Sequence, residues 1–286
     1  MPESVDELIA ILDLEQTEEH AFVGRDAGSA RQRVFGGQVL AQALTAAYRT
    51  VPDGRVAHSL GAYFLRAGVT GTPIRYAVEP TRDGGSFSSR RVVADQAGRV
   101  IFSMVCSFHE REVGLDHADA APAGVPEPED CPPLSAVLGA RSRRAVEAWQ
   151  QEWGVLETRF ASDTSTLSAA GHSDAEMKVW VRAESALPDD PQLHQAFLAY
   201  ASDLTLLAVS TVPHPVEFAG PNMQVASIDH SMWFHRPARA DQWLLYDQVS
   251  PSASSGLGFS FGRLFSQGRL AASCAQEGLI RLVEPG

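Results

Sequence analysis

The chain has 286 residues, enough for one large domain or for two of ~100–150 residues, and either buries a real core. A formal charge of −12 argues against non-specific nucleic-acid binding, while 44% hydrophobic and 20% charged residues give the balance of an ordinary soluble globular protein. Cys106, Cys131 and Cys274 form no CxxC pair and leave one cysteine over, which supports neither a disulfide framework nor a zinc site.

In chain order, Met1–Ala10 carries Glu3, Asp6 and Glu7 and lacks the basic and apolar regions of a secretory signal. Val5–Leu12 is expected as a short helix and Ala21–Arg25 as a strand. The sequence Val34-Phe35-Gly36-Gly37-Gln38 then leads into VLAQALTAAYRTVP. Residues Gly36–Ala47 hold no charge, so this helix should be buried nearly all round. Strands are expected at Ala57–Arg66, Ile74–Arg82 and Ser86–Ala94. The last turns through Asp95-Gln96-Ala97-Gly98 into Arg99–Phe108, a hairpin by its turn residues. From Glu112 to Pro133 there are six acidic residues and five prolines, a composition that suits an exposed connector rather than a sheet. Leu134–Trp153 is expected as an amphipathic helix with Arg141, Arg143 and Arg144 on its wet side.

The second half repeats the order of the first. Lys178–Ala183 reads as a strand, Leu193–Val209 as a helix, and Gln224–His235, Gln242–Ser250 and Leu257–Phe265 as strands. A Ser266-Gln267-Gly268 turn leads into Arg269–Leu282. Phe64 and Phe234, Arg66 and Arg236, Tyr76 and Tyr246, Gly98 and Gly268, Arg99 and Arg269, and Ser103 and Ser273 are all 170 residues apart, which points to an internal duplication. Each half is one long buried helix followed by about four antiparallel strands. An apolar helix must be wrapped by its sheet, so the expected fold is α+β, a hotdog arrangement doubled in one chain. No run of ~18 apolar residues exists to cross a bilayer. Glu284-Pro285-Gly286 is no peroxisomal address, and the expected location is the reduced cytoplasm.

Three polar residues stand out against apolar surroundings. Between Ala196 and Val209 the only charge is Asp203, read as mid-helix, and an ionised carboxylate there needs a hydrogen bond or a partner. Gln276 lies on a strand face otherwise made of Ala272, Cys274, Gly278 and Ile280, so its amide also needs a partner. Alternation groups Ser227 with Asp229, Ser231 and Trp233, opposite Ile228, Met232 and Phe234. Each residue also has a plain structural reading: an aspartate pinning a loop, a core glutamine bonding to backbone, a serine opening a strand. The 170-residue shift sets Ala57 opposite Ser227 and Cys106 opposite Gln276. Matching Thr50-Val51-Pro52 with Thr211-Val212-Pro213 sets Gln42 opposite Asp203. One half would then be catalytic and the other scaffold. Gly258-Phe259-Ser260-Phe261-Gly262 fits G-x-S-x-G but lacks the strand–turn–helix context of a nucleophile elbow. The nine histidines offer no HExxH and no His/Cys cluster. His58, His230 and His235 are open to a catalytic role or, as strand residues more often are, to one as hydrogen-bonded structural histidines.

The stretches QVASIDHSMWFHRP, AYASDLTLLAV, SPSASSGLGFSFGRLFSQGRLAASCAQEG, RVFGGQVLAQAL, HSLGAYFLRAG and RDGGSFSSRRV resemble the bacterial acyl-CoA thioesterase II family and its peroxisomal relatives. The likeness covers nearly the whole chain and is weakest from Glu112 to Met177. It implies a double-hotdog hydrolase of acyl-CoA thioesters whose Asp, Thr or Ser, and Gln map onto Asp203, Ser227 and Gln276. Bacterial members commonly carry Thr where this chain has Ser227. Residues 1–111 would form a non-catalytic repeat, 112–153 a connector with its helix, and 154–286 the catalytic repeat. Asp203 would take a proton from a water that Ser227 and Gln276 orient. The amides of Gly36-Gly37 are a candidate oxyanion site. The interior would take the acyl chain, and local arginines the CoA phosphates. No cofactor, metal, nucleic acid or membrane is implied. Long antiparallel sheets with exposed edges suit a homo-oligomer, a dimer or tetramer. The alternative is an acyl-CoA-binding or dehydratase-like hotdog protein without hydrolysis.

Overall fold

Residues 2, 4–25, 33–139, 154–162 and 174–283 are described by a computed structural model of the chain. The first half runs α1 (Val5–Leu12), β1 (Glu15–Glu18), β2 (Ala21–Gly24), α2 (Gly36–Tyr48), β3 (Arg55–Phe64), β4 (Ile74–Asp83), β5 (Phe87–Gln96) and β6 (Arg99–Glu110). After a connector and α3 (Leu134–Gly139) come β7 (Leu156–Phe160), β8 (Glu176–Ala183), α4 (Pro191–Ser202), β9 (Met223–Ser227), β10 (Asp229–Phe234), β11 (Leu244–Ser254), β12 (Leu257–Ser266) and β13 (Arg269–Leu282). The remainder of the helix expected to Trp153, with Arg141, Arg143 and Arg144, lies outside the described residues.

The strands form one 13-stranded sheet in the order β1-β2-β4-β5-β6-β3-β10-β13-β12-β11-β8-β7, with β9 beside β13. Every pairing is antiparallel, and the halves meet where β3 lies against β10 with Ser231 opposite Gly61. Both two-residue turns expected from the sequence have left-handed backbone at both positions, Ala97-Gly98 and Gln267-Gly268. Such turns match the twist of the strands they join. Adding 170 to the bounds of β5 gives those of β12, and β4 and β6 land on β11 and β13. The duplication is therefore visible strand by strand, as the double hotdog requires.

The two long helices lie together on the inner side of this sheet. Eleven of the thirteen residues of α2 are buried, from Gly37 through Leu44 and from Ala46 to Tyr48, as an uncharged helix demands. Leu40, Leu44, Phe197 and Tyr200 share one cluster with β-strand residues of both halves, including Tyr76, Phe102, Met232 and Tyr246. Burial of each large side chain there is worth about 1.5–3 kcal/mol, so the main core is shared by both halves, with a smaller cluster of Leu134, Phe160, Met177, Val179 and Val209 beside it.

Three expectations need correction. The helix read as Leu193–Val209 ends at Ser202, with Asp203 as its C-cap (φ −86°, ψ −1°), and a separate short 3₁₀ helix follows at Leu207–Thr211. The strand read as Gln224–His235 is interrupted at Ile228. Ser227 faces Gly278 of β13, whereas Ser231 faces Ala275, so the first strand carries one extra residue in between. That bulge breaks the alternation and puts Ser227 on the inner face with His230 rather than on the outer face with Ser231. Third, Tyr48 rather than Gln42 is the counterpart of Asp203, since it lies beside Ala57 and Cys106 as Asp203 lies beside Ser227 and Gln276. Gln42 instead holds α1 and the chain after β2, its amide donating to the carbonyls of Ile11 and Arg25 (both 2.9 Å) and accepting from the Tyr76 hydroxyl (2.7 Å).

The Pro- and acid-rich connector is mostly exposed and contributes no strand of the sheet, but it is tied down. Asp116 pairs with Arg236 and Arg269, Asp119 with Arg263, and the Pro126 carbonyl accepts from the Trp180 indole (2.9 Å).

Candidate active site

Asp203 is the only buried carboxylate among the described residues, at 9% exposure. It sits where α4 stops, so the chain's break in periodicity delivers a charge into the space between sheet and helices. Its Oδ1 accepts from the Ser227 hydroxyl (3.1 Å) and from the Gln276 side-chain amide, and the carboxylate also accepts from the Gly37 backbone N–H. Burial pushes the carboxyl up from 3.8 to about 6, and the donations from Gln276, Ser227 and Gly37 oppose that rise. The three polar residues singled out in the sequence thus meet at one point, brought there by α4, the end of β9 and the inner face of β13.

The other half supplies the wall. Phe35, the N-cap of α2, has no side-chain cap bond, so the first turn of α2 presents its amides to whatever lies beyond. The Asp203 carboxylate lies there, a favourable place for negative charge. This changes the expectation for Gly36-Gly37: in this arrangement the Gly37 amide serves the carboxylate and is not an unused oxyanion donor. Both glycines leave room that a side chain would take, at Gly36 from the carboxylate and at Gly37 from the backbone of α4. A Cβ at Gly36 would stand 2.6 Å from Asp203 Oδ2, and one at Gly37 would stand 2.5 Å from the Tyr200 carbonyl oxygen. The rings of Phe35 and Phe64 line the same spot.

Behind Asp203 the polar groups are held neutral. The Tyr246 hydroxyl donates to the Ser202 carbonyl (2.7 Å) and lies 3.1 Å from Cys274 Sγ. Burial raises the Tyr246 phenol well above its ordinary value and the Cys274 thiol to about 12. His230 Nε2 bonds the Ser202 hydroxyl (2.9 Å), and complete burial lowers its imidazole to about 4. His58 and His235 likewise each bond one serine, Ser107 (2.8 Å) and Ser273 (2.9 Å). At the corresponding place in the first half, Tyr48 accepts from the Ala57 N–H (2.7 Å) and bonds Gln195, and there is no carboxylate. Ser260 is no nucleophile elbow: it lies fully buried in mid-strand, directly opposite Gln276. No metal-binding group of His, Cys, Asp and Glu occurs among the described residues. What the sequence reading missed was the part of Gly36-Gly37 in shaping the carboxylate's seat; two adjacent glycines opening a buried helix were the available signal.

Comparison with known proteins agrees with this architecture. The family described as acyl-CoA thioesterase matches residues 150–279, and the acyl-CoA thioesterase N-terminal domain matches 25–109. The chain is 36% identical over 288 residues to acyl-CoA thioesterase 2 of Haemophilus influenzae, covering 99% of this chain and 100% of that one. It is 37% identical over 285 residues to human acyl-coenzyme A thioesterase 8, covering 95% and 88%. The crystal structure of an acyl-CoA thioesterase II from Mycobacterium marinum superposes with a TM-score of 0.81 at 42% identity, over 98% of each chain. Sequence likeness over the full length and a shared double-hotdog fold together make this chain a member of the acyl-CoA thioesterase family.

Proposed function

We propose that the chain hydrolyses fatty acyl-CoA thioesters to the free acid and CoA at one centre, with Asp203 as general base and Ser227 and Gln276 as the donors that orient the attacking water. The observation that carries this is a lone buried carboxylate, pushed to about 6, with a hydroxyl and an amide converging on its Oδ1. A base with that value is ionised at neutral pH yet strong enough to accept a proton. As water oxygen bonds to the thioester carbon, one of its protons passes to Asp203. The tetrahedral intermediate then collapses, the C–S bond breaks, and the CoA thiolate takes up a proton. A thiol with an ordinary pKa of ~8.5 leaves without a strong general acid. The acyl chain would pass the rings of Phe35 and Phe64, which flank the carboxylate's seat.

In this reading residues 154–286 carry the three side chains, 1–111 form the non-catalytic repeat, and 112–153 link them. The first repeat still contributes the Gly36-Gly37 wall. No cofactor is needed beyond the substrate itself. The enzyme acts in fatty acid metabolism in the cytoplasm, as a homo-oligomer. Support for self-association comes from the outer sheet face, where Gly61, Ser231 and Ala275 lie in one row between exposed Val105 and Phe261, with exposed Tyr63 and Trp233 alongside. No helix among the described residues is long and apolar enough to cross a membrane.

The test is release of free thiol from acyl-CoAs of increasing chain length. Asp203→Asn should fold and lose at least about 10²-fold in kcat, the contribution of a positioned general base. Wild-type turnover by that variant would overturn the assignment. Binding of acyl-CoA with no thiol release by the native chain would favour a non-hydrolytic role.

A further inference from the structure

Three buried polar side chains beside the site leave their bonding incomplete in a complementary way. The Thr205 hydroxyl donates to Gln248 Oε1 (2.8 Å), and Gln276 donates through Nε2 to Asp203. Between these two bonds stand three buried atoms without a partner: Gln248 Nε2, Ser260 Oγ and Gln276 Oε1. All three side chains are completely buried. Ser260 and Gln276 are direct cross-strand partners on β12 and β13, so their side chains rise side by side from the same face. Gln248 on β11 faces Gly262, two residues along β12 from Ser260 and on the same face, within reach of a long side chain.

The chemistry of the three atoms fits an order with the hydroxyl in the middle. Gln248 Nε2 can only donate, Gln276 Oε1 can only accept, and a serine hydroxyl does both. We propose that Ser260 is a positioning residue for hydrolysis: its hydroxyl accepts from Gln248 and donates to Gln276 Oε1, through one buried water or after a small side-chain rotation that closes the two contacts left open here. That bond locks the Gln276 amide with its NH₂ toward Asp203. The inference rests on the proposed role of Asp203, Ser227 and Gln276. It gives a purpose to the serine of the G-x-S-x-G stretch, which the hydrolytic centre does not otherwise use. An amide with a loose carbonyl end could turn over and set oxygen against carboxylate oxygen. With Ser260 donating, only one orientation satisfies both ends, and the line Thr205, Gln248, Ser260, Gln276, Asp203 runs in one direction from hydroxyl to carboxylate.

Loss of this lock has a signature that lost packing lacks. A weaker donation from Gln276 stabilises the Asp203 carboxylate less, so its titration moves up. The titratable groups facing Asp203 from the surrounding strands are Tyr246 on β11 and Cys274 on β13, with His230 on β10 behind Ser202. Tyr246 and Cys274 titrate far above, and His230 near 4, so the acid limb near pH 6 belongs to Asp203.

The experiment compares kcat, KM and the pH dependence of kcat/KM for wild type, Ser260→Ala, Ser260→Thr, Gln248→Leu and Asp203→Asn, using one acyl-CoA and thiol release. Ser260→Ala should lose about tenfold in kcat, the worth of one buried hydrogen bond. Its KM should hold and its acid limb should move to higher pH, and Ser260→Thr should restore both. Should Ser260→Ala fail to fold, folded Gln248→Leu must still move the limb upward, by less. Wild-type kcat and limb in Ser260→Ala, beside inactive Asp203→Asn, would overturn the positioning role and leave the base assignment standing. A fall in kcat with an unmoved limb and no rescue by Thr would overturn it equally. Active Asp203→Asn would bring down the underlying reading itself.

Discussion

Gly36→Ala and Gly37→Ala should fail in opposite ways, although both add one methyl at the start of the same helix. At Gly36 the new Cβ would lie 2.6 Å from Asp203 Oδ2 and 3.0–3.1 Å from the edge of the Phe64 ring. Neither neighbour is backbone, so both can give by rotating. Alanine in place of glycine in a helix returns up to about 1 kcal/mol of chain entropy, which offsets the local crowding. Stability should therefore change by less than about 1 kcal/mol. The carboxylate must nevertheless retreat by roughly an ångström to regain ordinary contact, and a misplacement of that size costs about 10²-fold in rate. At Gly37 the Cβ would lie 2.5 Å from the Tyr200 carbonyl oxygen and 2.4 Å from the Phe35 ring. Tyr200 O belongs to α4, so relief means separating two helices, an overpacking cost of about 1–3 kcal/mol. Thermal melts followed by circular dichroism, together with thiol-release kinetics, distinguish the pair. Wild-type kcat in Gly36→Ala, or a fall in its stability as large as that of Gly37→Ala, would refute the claim that Gly36 shapes the carboxylate's seat.

The raised titration of Asp203 also makes a stability prediction with a definite sign. Native protein holds this proton up to about 6 and unfolded chain only to about 3.8, so stability contributed by the neutral form is present below pH 4 and lost as pH rises to about 6. The loss amounts to about 3 kcal/mol at most, at 1.36 kcal/mol per unit. Asp203→Asn should lack that slope and be more stable than wild type at pH 7.5; urea melts at pH 4.5, 6 and 7.5 measure it, and equal slopes would count against the burial. Ser227→Thr should keep activity within a few-fold because the hydroxyl stays, with the β-branch restricting χ1. Ser227→Ala should lose about tenfold or more in kcat, one hydrogen bond to a charged group being worth about 1.5–3 kcal/mol.

The succession of the main strands along the chain and the burial of α2 were legible because they depend on local signals that tertiary packing does not override. The uncharged run from Gly36 required a wrapped helix, and Ala97-Gly98 and Gln267-Gly268 marked the hairpins whose left-handed turns the fold contains. Asp203 and Gln276 were legible as well, since each interrupts an apolar pattern, whereas Ser227 was marked only by the repeat overlay and the family resemblance. Their exact settings were not. Residues Ala196–Val209 read as a continuous helix because leucine and valine past Asp203 keep its periodicity, while the chain turns there to fit a 3₁₀ segment against Gly258 and Gly278. The bulge at Ile228 leaves no composition mark, so alternation put Ser227 on the wrong face. Ser260's place beside Gln276 follows from register between β12 and β13, which appears only once the strands are paired.

The asymmetry between the repeats has a structural origin in the link from helix to sheet. In the first half α2 ends at Tyr48 and β3 begins at Arg55, a short link. In the second, α4 ends at Ser202 and β9 begins only at Met223, with the 3₁₀ turn Leu207–Thr211 in between. The longer link lets the chain leave α4 at Asp203, tuck Leu207 and Ser210 against the glycines of β12 and β13, and return as a short strand that delivers Ser227. The short link allows nothing comparable. There the tyrosine ending α2 fills the space itself, with Tyr48 bonded to the Ala57 backbone and to Gln195 across the helix pair. Raised well above its ordinary value by burial, that phenol remains protonated and offers no base. Restoring a second centre would therefore take more than three substitutions at Tyr48, Ala57 and Cys106: a carboxylate placed there has no longer link to position it. Meanwhile the first helix keeps one necessary task, presenting the amide end and the two bare glycine positions against which Asp203 is held.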